Sequence, residues 1–88
     1  MVLYPQEGAA NVPTNLVVGW VPDPNAVGYQ VILEQNENDG LAVELPVGSS
    51  TLQVPAGVLA PGTETLLEVG AILPNGNRTL VEIVFATW

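Results

Sequence analysis

LAPGTETLLEVGA, residues 59–71, decides the fold of this chain. A Pro-Gly turn opens the stretch, and the residues after it alternate between apolar and polar side chains, which is the period of a β-strand with one buried face. The apolar positions of this strand and of two earlier strands are Leu67, Val69 and Ala71; Leu16, Val18 and Trp20; and Tyr29, Val31 and Leu33. We therefore predict three strands that share one core.

Turn residues divide the whole chain into short segments. The eight prolines leave no room for a long helix. Runs rich in Val, Leu, Ile and Thr lie between the turns, a spacing typical of an all-β sandwich or barrel. We predict one all-β domain over residues 1–88, a seven-stranded antiparallel sandwich of two sheets. The predicted strands are 2–4, 16–20, 28–35, 41–45, 51–54, 65–73 and 79–87.

The last hairpin allows its register to be predicted. Asn75-Gly76 alone suggests a two-residue turn, but that register would place Glu82 in the core beside Val69. A connection of three or five residues avoids this, because a slip of one residue inverts every side chain. The residues then predicted to be buried in the last strand are Val81, Ile83 and Phe85.

The charge of the chain excludes several classes of partner. Nine acidic residues face a single basic one, Arg78, so the net charge is −8. Nucleic acids and anionic membranes both require clustered Lys and Arg, so neither is an expected partner. No apolar run approaches the roughly 20 residues of a membrane helix, and no signal peptide is recognisable. We expect a domain excised from a larger protein, with its targeting sequence left behind or cleaved off.

Catalysis is not expected. The chain has no His, Cys or Lys, so a Ser nucleophile has none of the usual bases to activate it. Paired carboxylates could still perform glycoside hydrolysis. The strand carboxylates occupy outward positions, however, where they are usually solvated; they are Glu34, Glu44, Glu68 and Glu82. We predict neither enzymatic activity nor a cofactor.

Two short polar segments have alternative interpretations. Calcium prefers oxygen ligands, and many of them are supplied by Asn36, Glu37, Asn38 and Asp39. The helix-flanked calcium loop has a different glycine position, so a polar hairpin turn over residues 36–40 is the other interpretation. Asn77-Arg78-Thr79 fits the N-glycosylation pattern and equally fits the exit of a hairpin turn.

Outward-facing aliphatic side chains form a candidate interaction face. By alternation they are Ile32, Leu66, Leu80 and Val84, on the third, sixth and seventh strands. Contiguous exposed apolar patches often mark protein contacts. Scattered surface aliphatics are also normal, so both interpretations stay open.

Four segments occur in a characteristic order. They are Pro5 with Gly8-Ala9-x-Asn11-Val12-Pro13, Leu16-x-Val18-x-Trp20, Gly28-Tyr29-x-Val31, and Leu59-x-Pro61-Gly62-Thr63-Glu64. Together they cover nearly the whole chain, which resembles a fibronectin type III domain, an immunoglobulin-like β-sandwich. The first segment resembles bacterial extracellular members. The family usually has Tyr where this chain has Thr65, so another contact must close that corner or the corner is looser.

The resemblance implies a general function but does not identify a ligand. It implies a structural spacer or protein-interaction module of a secreted or cell-surface multidomain protein, whose partners are neighbouring domains or another protein. We favour a monomer, but the sequence does not determine the oligomeric state. The family's Arg-Gly-Asp tripeptide is absent. The alternative is an accessory carbohydrate-binding module, assisted by calcium, which would need exposed aromatic side chains. Trp20 is not expected to be one, because it alternates with core residues.

Overall fold

The computed structural model describes residues 2–36 and 38–88, with the backbone alone for Asn38 and Asp39. Over these residues the chain forms seven strands: β1 (Val2–Tyr4), β2 (Val17–Trp20), β3 (Gly28–Gln35), β4 (Asn38–Pro46), β5 (Thr51–Gln53), β6 (Glu64–Ile72) and β7 (Arg78–Ala86). A three-stranded sheet has the order β1-β2-β5, and a four-stranded sheet has the order β4-β3-β6-β7. All pairs within them are antiparallel. The predicted all-β sandwich is confirmed.

The core lies between the two sheets and follows the predicted alternation. The apolar residues predicted to face inward on β2, β3 and β6, together with Leu16 just before β2, are at most 8% exposed. Trp20 and Tyr29 pack ring against ring, with centroids 5.6 Å apart and an interplanar angle of 51°. Trp20 is therefore a core residue, as predicted. No helix long and apolar enough to span a membrane occurs in the described part of the chain.

The β6–β7 hairpin has the predicted odd connection. Ile72 pairs with Arg78, so five residues, 73–77, join the strands. The prediction of buried Ile83 and Phe85 is confirmed, since they are 8% and 1% exposed. The prediction for Val81 is wrong, because its side chain is 37% exposed. β7 is an edge strand of the four-stranded sheet, and the opposite sheet has only three strands. The smaller sheet therefore does not cover the whole inner side of β7.

The β3–β4 turn is shorter than predicted. Gln35 already pairs with Asn38, so residues 38–40 belong to β4 and not to a loop. The register shifts where Leu33 pairs with Leu41 and Glu34 with Asp39. Gly40 is thus the extra residue of a β-bulge, which lets the ladder continue beyond the glycine.

The N-terminal segment joins both sheets. After β1 it crosses to the free edge of β7, where the Gly8 N–H donates to the Val84 carbonyl at 2.8 Å. The Ala86 N–H donates to the Ala9 carbonyl at 2.8 Å. A parallel bridge pairs Val12 with Thr87. Residues 8–12 therefore cover the C-terminal half of the β7 edge.

Candidate functional site

The outer face of the four-stranded sheet carries most of the charge. We use "outer face" for the side chains of this sheet that point away from the core. Of the seven acidic side chains that the structure describes, the strand register places five there, together with the one basic residue. These residues are Glu34, Glu44, Glu64, Glu68, Glu82 and Arg78. The alternation of β3, β4, β6 and β7 alone determines this placement.

Two carboxylates of the outer face stand opposite each other. Glu68 on β6 pairs with Glu82 on β7. Like charges at directly opposed positions destabilise a sheet. The fold tolerates this pair, and the field of the two carboxylates attracts cationic groups from solvent.

The predicted interaction residues share the outer face but do not form one stripe. Leu66 lies opposite Val84, and Ile32 lies opposite Glu68. Leu80 lies opposite Gly70 and is 55% exposed. The Glu68–Glu82 row separates Leu80 from the Leu66–Val84 pair. Aliphatic groups and carboxylates therefore alternate, and the role of the four aliphatic residues in binding stays a prediction.

An acidic depression lies at one end of the outer face. Its volume is about 290 Å³, and it is lined by Glu34, Asn36, Glu64, Leu66 and Val84. Two aliphatic side chains meet two carboxylates within it. This combination matches a Lys or Arg side chain, whose aliphatic stem packs on apolar groups while its charged end stays solvated.

The one cation reaches across the outer face. Arg78 Nη2 lies 3.8 Å from Glu44 Oε1, although their strands are the two edges of the sheet. Gly70 leaves space on this side, and Leu80 fills part of it: a Cβ on Gly70 would lie 2.8 Å from Leu80 Cδ2. Both charged side chains are well exposed, so the pair contributes at most about 1 kcal/mol.

A second feature, the tryptophan cavity, lies between the sheets where β2 ends. Its volume is about 60 Å³, and its lining includes Trp20, Asp23, Tyr29, Ala71, Thr79 and Val81. The Tyr29 hydroxyl accepts a hydrogen bond from the Asp23 N–H at 2.9 Å. Among the described residues the buried Trp20 indole N–H has no hydrogen-bond partner. Most buried donors in proteins are paired, so this one identifies an incompletely closed place in the core.

The opposite end of the core is closed by the threonine corner, formed by Gln35, Thr63, Thr65 and Thr87. The buried Thr65 hydroxyl accepts from Gln35 Nε2 at 2.9 Å and donates to the Thr63 carbonyl at 3.2 Å. Gln35 Oε1 also accepts from the Ala60 N–H at 2.8 Å. The Thr87 hydroxyl accepts from the Thr63 N–H at 3.0 Å and donates to the Ala60 carbonyl at 2.8 Å. These contacts close the corner where the resemblance leads one to expect Tyr.

Sequence reasoning missed both Gln35 and Thr87 in this corner. A signal was present, because Thr65 and Thr87 share the parity of the inner residues on their strands. A polar residue at an inward position needs a hydrogen-bond partner. The partners lie 24 to 30 residues away along the chain, so the alternation pattern does not name them.

The calcium candidates fall largely outside what the structure describes. Asn36 lies in the turn after β3 with φ of 52°, a conformation that Asn tolerates. Glu37 and the side chains of Asn38 and Asp39 are outside the described residues. Among the groups that are described, no three acidic, His or Cys side chains could hold a metal ion. Calcium binding stays an untested alternative interpretation of this segment.

Sequence comparison gives no relative from which a role could be transferred. No protein-family model matches the chain, and no curated protein matches it. The candidate sites are therefore the outer face, with its acidic depression, and the tryptophan cavity.

Proposed function

We propose that this chain is a non-enzymatic β-sandwich module of the fibronectin type III kind, part of a secreted or cell-surface protein. It acts as a spacer and binds a basic surface of another protein or of a neighbouring domain. The four sequence segments support the family. The sheet order also supports it, because β3, β6 and β7 lie in one sheet, as the resemblance implies.

The observation that carries the proposal is the composition of the outer face. Half-buried Ile32, Leu66 and Val84 alternate there with exposed or half-buried carboxylates. Aliphatic groups supply buried area in a contact, and charges of one sign supply orientation and a faster encounter. A partner with Lys or Arg on a flat surface complements both features.

The distribution of aromatic side chains does not favour the carbohydrate-binding alternative. Trp20, Tyr29 and Phe85 are at most 2% exposed, so they offer no stacking surface. The exposed aromatic residues are Tyr4 and Trp88, at 42% and 72%. Neither lies on the outer face or in the tryptophan cavity.

A titration tests the proposed face. Decalysine, added to ¹⁵N-labelled protein at low and at physiological salt, is expected to shift the backbone amides of Leu66, Glu68 and Glu82 first. The double variant Glu68→Gln/Glu82→Gln should weaken binding about fivefold, since close charge complementarity is lost.

The matched control removes the same charge elsewhere. Asp23→Asn is compared with the single face variant Glu68→Gln, which has the same net charge and should weaken binding more, and its new side chain keeps an acceptor for the Asn25 N–H. Binding by this control should fall less than about twofold, as distant exposed charges are screened. Equal weakening by these two single variants would contradict a binding site on the outer face.

A further inference from the structure

The N-terminal half of the β7 edge is open. The outward-facing N–H and C=O groups of Val84 and Ala86 are bonded to the Glu7 carboxylate and to the backbone of residues 8, 9 and 12. Alternate residues of a strand direct their N–H and C=O to the same side, so Leu80 and Glu82 face this edge too. No hydrogen bond to these outward groups of Leu80 and Glu82 occurs among the described residues.

The other sheet edges are better protected. β4 has its Gly40 bulge near one end and Pro46 at the other, and both bulges and prolines prevent strand addition. β1 and β5, the edges of the smaller sheet, are three residues long, and short edges are a further protection. The open half of β7 has none of these devices.

The tryptophan cavity lies directly beside this open edge. Val81 and Thr79 of β7 line it together with Trp20 of the opposite sheet. Val81 points inward yet is 37% exposed, and Trp20 is 2% exposed with an unpaired indole N–H. A cavity of about 60 Å³ is larger than one water needs. It can take a small side chain that carries a hydrogen-bond acceptor.

We propose that the open half of β7 receives an extended segment of a basic partner protein as an added strand. The segment pairs through its backbone with Leu80 and Glu82, as in other cases of strand addition. Its residue opposite Val81 is a Ser or Thr, whose hydroxyl enters the tryptophan cavity and accepts from the indole N–H. Its residue opposite Glu82 is a Lys or Arg.

Charge identifies the occupant as a basic partner and not a second copy of this chain. Each copy has a net charge of −8, and two such edges would bring the Glu68–Glu82 rows together. A cationic side chain opposite Glu82 instead relieves the repulsion between these two carboxylates. This inference rests on the proposed function, because it takes the partner to be basic.

Two peptides separate strand addition from simple charge attraction. The probe is a nine-residue peptide of alternating lysine and threonine with blocked ends. Its control has the same sequence, with N-methyl groups on the amides that would face β7. The two peptides have equal charge, but only the first can donate hydrogen bonds to the edge.

The probe peptide is expected to shift the Trp20 indole N–H resonance and leave that of Trp88, which is 72% exposed, unchanged. It should slow exchange of the Leu80 and Glu82 amides about tenfold. If the N-methylated peptide binds as tightly and produces the same shifts, strand addition is wrong while the acidic face still stands. If neither peptide binds, both proposals fail.

Edge variants give a second, independent test. Leu80→Pro removes an outward N–H and should abolish the Trp20 shift, whereas Ala42→Pro, the matched change on the β4 edge, should leave it intact. Glu82→Lys keeps the backbone donors and should weaken probe binding about tenfold. Self-association of the unmodified chain that Leu80→Pro abolishes would show that a second copy occupies the edge, and would overturn the inference.

Discussion

The two ends of the sandwich core differ in how completely their buried polar groups are hydrogen-bonded. At the threonine corner the Thr65 hydroxyl bonds the Gln35 amide, and the Thr63, Thr65 and Thr87 hydroxyls bond the backbone of residues 60–63. At the tryptophan cavity one hydroxyl bonds the turn after β2. The indole N–H beside it has no partner among the described residues.

The difference shows that one pair of strands can be fully covered at one end and open to a binding partner at the other. β6 and β7 run through both ends, so strand pairing does not distinguish them. What differs is how many long-range hydrogen bonds each end makes and how completely each end is covered. Binding sites are drawn from the parts of a protein with few such contacts. The following substitutions test the contrast, starting with the largest expected effect.

Ile83→Ala should cost about 4 kcal/mol of unfolding free energy, because it empties a buried site. Val81→Ala, two residues nearer the open end, should cost less than about 1 kcal/mol, because that side chain is already partly solvated. Urea denaturation of the two variants measures both values. Similar losses would mean that β7 is covered evenly and that the tryptophan cavity is closed in solution.

Thr65→Tyr should lower stability by about 3 kcal/mol, through overpacking and the loss of hydrogen bonds in the threonine corner. Thr79→Tyr, on the next strand at the open end, should change it by less than about 0.5 kcal/mol. Thermal and urea denaturation compare the pair. A gain in stability at Thr65 would show that this corner can adopt the Tyr arrangement of the family that the sequence resembles.

Thr87→Val should cost about 1.5 kcal/mol, since it keeps the side-chain shape but leaves the Thr63 N–H without its acceptor. Thr51→Val is the control, because Thr51 is exposed on β5. Its unfolding free energy should stay within about 0.5 kcal/mol of the unmodified protein. If both variants lose the same amount, the Thr87 hydroxyl does not stabilise the corner.

Arg78→Ala should change the unfolding free energy by less than about 0.5 kcal/mol, as expected for an exposed ion pair. Denaturation at 20 mM and 500 mM NaCl should give nearly the same difference between variant and unmodified protein. Glu44→Gln removes the other partner and serves as the control. A loss above about 1 kcal/mol in both variants would show that charge, and not only backbone pairing, holds the open end together.

Hydrophobic alternation was enough to predict the fold and most of the core. The inner positions of β2, β3 and β6 follow directly from it, and so does the odd β6–β7 connection. Val81 was not predictable in this way, because alternation reports which face a residue occupies and not how far the opposite sheet extends. The start of β4 was missed for a different reason. Asn38, Asp39 and Gly40 have the composition of a turn, but a bulge includes them in the strand.

The candidate sites were only partly predictable. Ile32, Leu66, Leu80 and Val84 do lie on the outer face, but the sequence does not show that Glu68 and Glu82 stand side by side between them. That relation depends on the exact register of two strands. The tryptophan cavity depends on the approach of two sheets, which no local pattern encodes.

The segment that crosses from β1 to β7 also has a mechanical consequence. Residues 8–12 run parallel to the last residues of β7 and are joined to them by several backbone hydrogen bonds. Tension applied in opposite directions at the two ends of the chain would act along the two strands, across these hydrogen bonds, and load them simultaneously, in shear. Peeling them apart one at a time would need less force. The pairing of residues 8–12 with the end of β7 therefore also resists extension of the module.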